Sequence, residues 1–228
     1  MARRLLIAAS AALLASTSAT AAVLVVRSSG PSAAAYPPGK ALADDHVLKL
    51  KPTDTVILLD SRGTRTLNGP GSFSVAASAS NVSGAVRSAG TSARRVRLGA
   101  VRGSGTRSVW QADLTRTGNV CIANPSELTL YRPEAAAPAD VTLTDSDGKT
   151  AKVHFEANQW EASWPSELQV KAGKRVNVSG LAQPTTLTLR QLSPIPSGLE
   201  GMAQSLIRAD CQGQLDVLVD TISPRSEG

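Results

Sequence analysis

Hydrophobic and polar residues alternate along much of the chain, which is the period of half-buried β-strands. In "HVLKLKPTDTVILLD", Leu48 and Leu50 alternate with lysines, and residues 56–59 form a continuous apolar run. Such a run is expected of a strand that is covered on both faces. The turn sequences "DSRG" and "NGPG" follow it and separate further short strand-like runs. Residues 42–80 are therefore predicted to form a small β meander.

A second series of strand-like runs occupies residues 108–192. In "VWQADL", Trp110, Ala112 and Leu114 share one face, and similar runs follow, divided by turn residues such as "DSDG". About eight short strands at this spacing are typical of a β-sandwich. The expected fold class is therefore mainly β, with an Ig-like antiparallel β-sandwich after the meander.

The hydrophobic period changes near the C-terminus. Ser197 and Glu200 have the spacing of a capping box and follow two prolines. Beyond them, apolar residues recur at helical spacing: Leu199, Ala203, Ile207, Cys211, Leu215, Leu218 and Ile222. An amphipathic helix over residues 197–222, lying on the sheet, is predicted. Gly213 indicates a kink in it or a split into two helices.

The N-terminus has the features of an export segment. Arg3 and Arg4 precede an apolar run over residues 5–14, and Ala19-Thr20-Ala21 matches an A-x-A cleavage pattern, so residues 1–21 are predicted to be a signal peptide. The alternative is an uncleaved anchor over residues 5–26, which is long enough to span a bilayer. Either arrangement leaves the body of the protein outside the cytoplasm. Residues 22–41, rich in Pro, Ser and Gly towards their end, are predicted to be a linker.

The predicted export bears on the oxidation state of the two cysteines, Cys121 and Cys211. An isolated pair in an oxidising compartment favours a disulfide bond. Cys211 lies on the apolar face of the predicted helix, where it can meet Cys121 on a strand below. The alternative is a pair of buried free thiols.

The formal net charge is +6, and arginines are concentrated in residues 81–107. This segment has no acidic residue and is predicted to be a loop between the two β units. Guanidinium groups there can bind phosphate or carboxylate groups of a lipid, an acidic polysaccharide or an acidic protein face. The alternative is a solvated loop without a specific target. The candidate anion-binding residues are Arg87, Arg94, Arg95, Arg97 and Arg102. Aromatic residues make up only 3% of the chain, which argues against stacking recognition of nucleic acids.

Catalytic and metal-binding patterns are weak. His46 follows two aspartates, but consecutive strand residues alternate between faces and do not converge on one metal. His154 lies between Val153 and Phe155 and is expected to point outward. The "DSDG" turn begins like a calcium loop without completing it. The sequence therefore predicts no catalytic residue, no metal site and no cofactor, and the protein is expected not to be an enzyme.

One segment resembles a known family. The run "KLKPTDTVILLDSRGTRTLNGPGSF" is similar to the β-repeat of periplasmic FecR-like proteins. The whole layout resembles uncharacterised exported proteins of proteobacteria, which share a "W-P" strand region and a C-terminal helix of the form "A-x-x-L-I-x-x-x-C-x-x-Q-L". Here these are Trp164-Pro165 and residues 203–215. The FecR-like match covers about 40 residues. It implies a periplasmic interaction module and brings no catalytic residues. The sigma-factor control exerted by FecR-like regulators is not carried over.

Together these observations predict a non-enzymatic periplasmic protein, or one anchored in the inner membrane and facing the periplasm. Its expected role is protein–protein interaction, as an accessory module of a cell-envelope signalling system with an envelope protein as partner. The alternative role is binding an anionic envelope polymer or lipid through the Arg-rich loop. A nucleic-acid partner is not expected.

Overall fold

The computed structural model describes residues 23–61, 63–76 and 107–222. Over these ranges the chain is mainly β, with several antiparallel sheets and two helices near the C-terminus, which confirms the predicted fold class. The strands before residue 77 are β1 (Val23–Ser29), β2 (Ala41–Leu42), β3 (Val47–Leu50), β4 (Thr55–Asp60), β5 (Gly63–Asn68) and β6 (Gly71–Ser74). The strands after residue 106 are β7 (Gln111–Asp113), β8 (Gly118–Ile122), β9 (Thr129–Tyr131), β10 (Ala139–Asp145), β11 (Thr150–Phe155), β12 (Glu161–Ser163), β13 (Arg175–Ser179) and β14 (Thr185–Gln191). The helices are α1 (Gly198–Arg208) and α2 (Gln212–Ile222).

The first β unit is a four-stranded sheet in the order β2-β1-β4-β5. Strand β1 is central in it and pairs antiparallel with both β2 and β4. All four residues from Val23 to Val26 are buried. The prediction of a linker over residues 22–41 is therefore wrong for its described part, because the apolar run over residues 23–26 is a core strand.

The remainder of the expected linker is also held in place. Residues 33–35 form a short 3-10 helix, and the backbone N–H of Ser32 donates to the buried carboxylate of Asp54 at 2.9 Å. The side chain of Tyr36 is buried, and its hydroxyl accepts a hydrogen bond from the Lys49 N–H at 2.9 Å. These long-range contacts order a Pro- and Ser-rich segment that composition alone indicates to be a tether.

A second layer covers one face of this sheet. Strands β3 and β6 pair antiparallel as a separate two-stranded sheet. Leu48 and Leu50 of this layer pack against Val25, Val56 and Leu58 of the four-stranded sheet to form an apolar core. Burial on alternate residues of β3 explains the leucine–lysine alternation in the sequence.

The second β unit is a sandwich of a five-stranded sheet, β11-β10-β13-β14-β8, and a three-stranded sheet, β12-β9-β7. Most pairs are antiparallel, but β14 pairs with β8, and β7 with β9, in parallel. The sheets are thus mixed, in contrast to the wholly antiparallel sandwich expected. Their shared core includes the fully buried Leu130, Leu143, Phe155 and Leu189.

The helices form a layer between the two β units. One apolar core joins Leu24 and Leu59 of the first unit, Met202 and Leu206 of α1, and Leu215 of α2. The predicted single helix over residues 197–222 is split, as the alternative allowed, but the break falls at residues 209–211 and Gly213 lies inside α2. Asp210 has φ 54° at the break. The side chain of Ser197 does not make the capping bond that its spacing predicts.

The signal peptide over residues 1–21 lies outside the described residues. The alternative anchor over residues 5–26 ends in β1, where the side chains pack in the protein core. In the part of the chain that the structure describes, no helix is long and apolar enough to cross a membrane.

Candidate functional site

The predicted disulfide bond is present, and it joins the helix layer to the sandwich. Cys121 on β8 and Cys211 at the start of α2 form it, with their Cα atoms 5.9 Å apart, and both are fully buried. Strand β8 supplies the first cysteine because its residues 120–122 are a buried apolar run. The bond closes across 90 residues and so restricts the unfolded chain strongly.

The side chain of Gln214 completes this junction. Its Oε1 atom accepts from the Cys121 N–H at 2.6 Å, and its Nε2 atom donates to the Cys121 carbonyl at 2.7 Å. The same Nε2 atom also donates to the Val109 carbonyl at 2.7 Å. The primary amide therefore occupies the place of a peptide group from a neighbouring strand, at the outer edge of β8.

This arrangement pairs the outward backbone groups of Cys121 at one edge of the five-stranded sheet. Strand β8 is the last strand on that side, so its outward N–H and C=O groups would otherwise be unpaired. The local sequence pattern does not single out Gln214 among the residues of the predicted helix. Its role was not predictable, because the bonds reach 93 and 105 residues along the chain.

The five predicted anion-binding residues, Arg87, Arg94, Arg95, Arg97 and Arg102, lie outside the described residues. Arg107, at the end of the Arg-rich loop, forms an ion pair with Asp113 and lies over the ring of Tyr131, 5.1 Å from its centroid. It borders a polar cavity of about 420 Å³ between the α1–α2 turn and β8. Arg116, on the opposite wall, pairs with Asp216 at 3.0 Å. Both guanidinium groups in this cavity are thus matched by carboxylates.

The two histidines lie in different β units and do not share a site. His154 is exposed, as predicted, with its Nδ1 atom 2.7 Å from Asp140 and its Nε2 atom 3.5 Å from Glu156. The hydrogen bond with Asp140, together with the charges of both carboxylates, raises the pKa of His154. The ring of His46 meets Tyr36 edge to face, with centroids 6.3 Å apart.

The "DSDG" turn is an ion-paired hairpin. The buried carboxylate of Asp145 accepts from the backbone N–H groups of Asp147 and Lys149 and from Lys174 Nζ at 2.6 Å. Lys174 also approaches Asp147 at 2.9 Å. The hydrogen bond from Lys174 outweighs burial and lowers the pKa of Asp145. The ammonium group of Lys174 thus lies between the two aspartates that a calcium ion would contact. Among the described residues there is no cluster of three or more metal-ligating side chains.

Trp160 and Trp164 lie four residues apart in the sequence "QWEASW" but in different environments. Trp164 packs against the sandwich core and donates from Nε1 to the Leu168 carbonyl at 2.8 Å. Trp160 is partly exposed. Trp164 forms part of the wall of a shallow groove of about 640 Å³.

Two residues at the outer edge of β5, Thr66 and Asn68, have backbone groups that point away from the sheet. Gly63 faces Asp60 across a two-residue turn, and from there the pairing with β4 continues through Asn68. Because inward and outward pairs alternate in an antiparallel ladder, Thr66 and Asn68 direct their backbone N–H and C=O groups away from β4. Both residues are exposed, and no described backbone group bonds to them on that side.

No family model, no curated protein and no solved structure matches the chain.

Proposed function

We propose that this protein is a non-enzymatic interaction module of the cell envelope, which binds a protein partner by accepting a strand of that partner at the outer edge of β5. The open edge at Thr66 and Asn68 carries the proposal. Strand addition forms main-chain hydrogen bonds to an exposed sheet edge and needs no catalytic chemistry. The edge lies within the segment that resembles the FecR-like β-repeat, whose implied role is interaction in the periplasm.

The other sheet edges are less suited to this role. At the β8 edge, Gln214 already occupies the backbone groups of Cys121. Strands β2, β7 and β12 have only two or three residues each, and β3 and β6 of the two-stranded sheet have four each. Strand β11 is as long as β5 but carries the exposed Lys152, a residue type that protects edges against pairing. Strand β5 has no lysine and no proline, and the side chain of Arg65 is bonded to the Val75 carbonyl at 2.9 Å.

The disulfide bond and the absence of a membrane-spanning helix among the described residues are compatible with an exported protein. We propose that the interaction takes place in the periplasm, with an envelope protein as partner. An accessory role in a membrane signalling system follows from the FecR-like resemblance. Inner-membrane association would come from the N-terminal segment if it is not cleaved.

The test is site-specific photo-crosslinking in the native cells. A photoreactive side chain at Asn68 should yield one dominant adduct with an envelope protein. Thr66→Pro should abolish this adduct, because proline removes the outward N–H of residue 66 but leaves the ladder with β4 intact. The matched control is Thr66→Val, which keeps the N–H and should retain the adduct.

An unchanged adduct in Thr66→Pro would show that the partner does not bind by strand addition at this edge. Absence of any protein adduct at Asn68, with the full chain exported and folded, would refute the interaction site altogether. Formation of the disulfide in each variant serves as the check on folding, because it requires α2 to meet β8.

A further inference from the structure

The outward face of the five-stranded sheet is a surface of hydroxyl and amide groups. Register places Thr150, Thr144, Asn177 and Thr186 in one row across four strands. Within the row, Thr186 Oγ1 donates a hydrogen bond to Asn177 Oδ1 at 3.0 Å. Thr117 extends the row, because its Oγ1 accepts a hydrogen bond from the Thr186 N–H at 3.1 Å.

Two further rows flank the first one. Lys152, Thr142 and Ser179 face one another on one side of it. Arg175, Thr188 and Asn119 do so on the other side. We call the surface formed by these three rows, together with Arg190, the hydroxyl face. Its side chains are regularly spaced, since neighbouring strands lie about 4.8 Å apart and residues on one face of a strand repeat about every 6.5 to 7 Å.

The hydroxyl face carries an excess of positive charge. Lys152, Arg175 and Arg190 are exposed, and no carboxylate of the described residues pairs with them. Arg190 is oriented by a 3.3 Å bond from its Nε atom to Asn119 Oδ1. Two exposed carboxylates, those of Asp140 and Glu156, border the hydroxyl face beside the Lys152 row, and both contact His154. A ligand on this face therefore meets neutral hydrogen-bonding groups with unpaired cations among them.

We propose that the hydroxyl face binds an acidic polysaccharide. Threonine, serine and asparagine side chains supply both donors and acceptors, which match the hydroxyl groups of a sugar chain. The guanidinium groups of Arg175 and Arg190 match its carboxylates. The face has no exposed apolar side chain that would enter a bilayer, and Trp160 and Ile195 lie outside its rows.

The polar cavity beside Arg116 continues the hydroxyl face at its β8 end, because Thr186, Thr188 and Asn119 belong to both. A polysaccharide lying along the third row would reach the mouth of this cavity. The binding surface is therefore formed by described residues of the sandwich and does not require the Arg-rich loop. It is also independent of the β5 edge, which lies in the other β unit.

The experiment measures binding of the full chain to polygalacturonate, with dextran as the neutral polymer, and with polyphosphate and phosphatidylglycerol vesicles as the other anions. We expect binding to polygalacturonate that weakens with added salt, and no binding to dextran. Replacing Lys152, Arg175 and Arg190 together by Gln should weaken it about tenfold, as three exposed ion pairs at the usual strength imply.

The matched control replaces Lys49, Lys51 and Arg208 by Gln, which removes the same charge from exposed positions elsewhere. This control should bind polygalacturonate like the wild type. A variant with Arg94, Arg95 and Arg97 changed to Ala tests the loop separately. The proposal is overturned if the hydroxyl-face variant binds like the control, or if the loop variant alone loses binding.

The double variant Thr142→Val, Thr188→Val keeps all charges and tests the sugar contacts. Weaker binding to polygalacturonate with unchanged binding to polyphosphate would support the assignment to a polysaccharide. Equal binding of all three anions by the wild type and by this variant would refute it, since the site would then recognise charge alone. An unchanged strand-edge crosslink in Thr66→Pro, which would refute the proposed function, would leave each of these outcomes unaffected.

Discussion

Replacing Gln214 by Met should destabilise the protein severely while changing the side-chain volume little. The substitution removes the three bonds to the Cys121 N–H, the Cys121 carbonyl and the Val109 carbonyl. All three groups would remain buried beside α2. A buried polar group that loses its partner costs about 1–3 kcal/mol.

The expected loss is about 3–5 kcal/mol of unfolding free energy. It lies near the lower end of the summed cost of the three groups, since carbonyl groups tolerate a missing partner better than an N–H does. The assay is urea unfolding of the full chain, followed by tryptophan fluorescence at neutral pH. Gln212→Met is the control, because Gln212 is exposed and bonds only to Asp210 in the same turn. It should change the free energy by less than about 0.5 kcal/mol.

The Gln214→Glu variant tests the same hydrogen-bonding role through the pH dependence of stability. A carboxylate can still accept from the Cys121 N–H, but it faces two carbonyl oxygens with no hydrogen to donate. This variant should be less stable than Gln214→Met at pH 7 and should recover part of the difference at pH 4. A Gln214→Met protein within about 0.5 kcal/mol of the wild type would refute the role assigned to this amide.

Three further predictions concern the disulfide bond and two ion pairs. Replacing Cys121 and Cys211 together by Ala should lower the unfolding free energy by about 4 kcal/mol in urea, as expected for a closed loop of 90 residues, and an unchanged midpoint would contradict this. The pKa of His154 is raised by its hydrogen-bonded aspartate on β10, so its stabilising effect is complete below the unfolded pKa and is lost as the pH rises through the folded pKa. The stability difference between wild type and His154→Gln should therefore be larger at pH 5.5 than at pH 8.5, and the opposite order would refute it. The lowered pKa of Asp145 has the reverse sign, because its stabilising effect is present at neutral pH and is lost as the pH falls through the folded pKa. The Lys174→Met variant should therefore be less stable than the wild type at pH 7, and this difference should shrink under acid conditions. A difference that grew on acidification would exclude the pairing.

The sequence predicted those features of the fold that depend on local pattern. Alternation identifies β3, and helical spacing places Cys211 on the apolar face that meets Cys121. Strand β1 was not predicted, because its run of four buried residues continues the apolar sequence of the predicted signal peptide. Only its long-range pairing with β2 and β4 distinguishes it. The parallel pairing of β14 with β8 is likewise a long-range property.

The candidate surfaces were less predictable than the fold. The sequence indicates that β5 is a strand, but its position at an edge depends on the sheet order. The threonines of the hydroxyl face are spread over four strands and align only through their registers. The predicted arginine site lies outside the described residues, so its role remains a prediction.

Amide hydrogen exchange of the free full chain, followed residue by residue by NMR, tests the open edge of β5 most directly. The backbone N–H groups of Arg65 and Leu67 point towards β4 in the ladder, whereas those of Thr66 and Asn68 point away from it. We predict slow exchange at the first two amides and fast exchange at the last two. Equal protection of all four amides in the free protein would contradict the account, because the edge proposed to receive a partner strand would then already be paired.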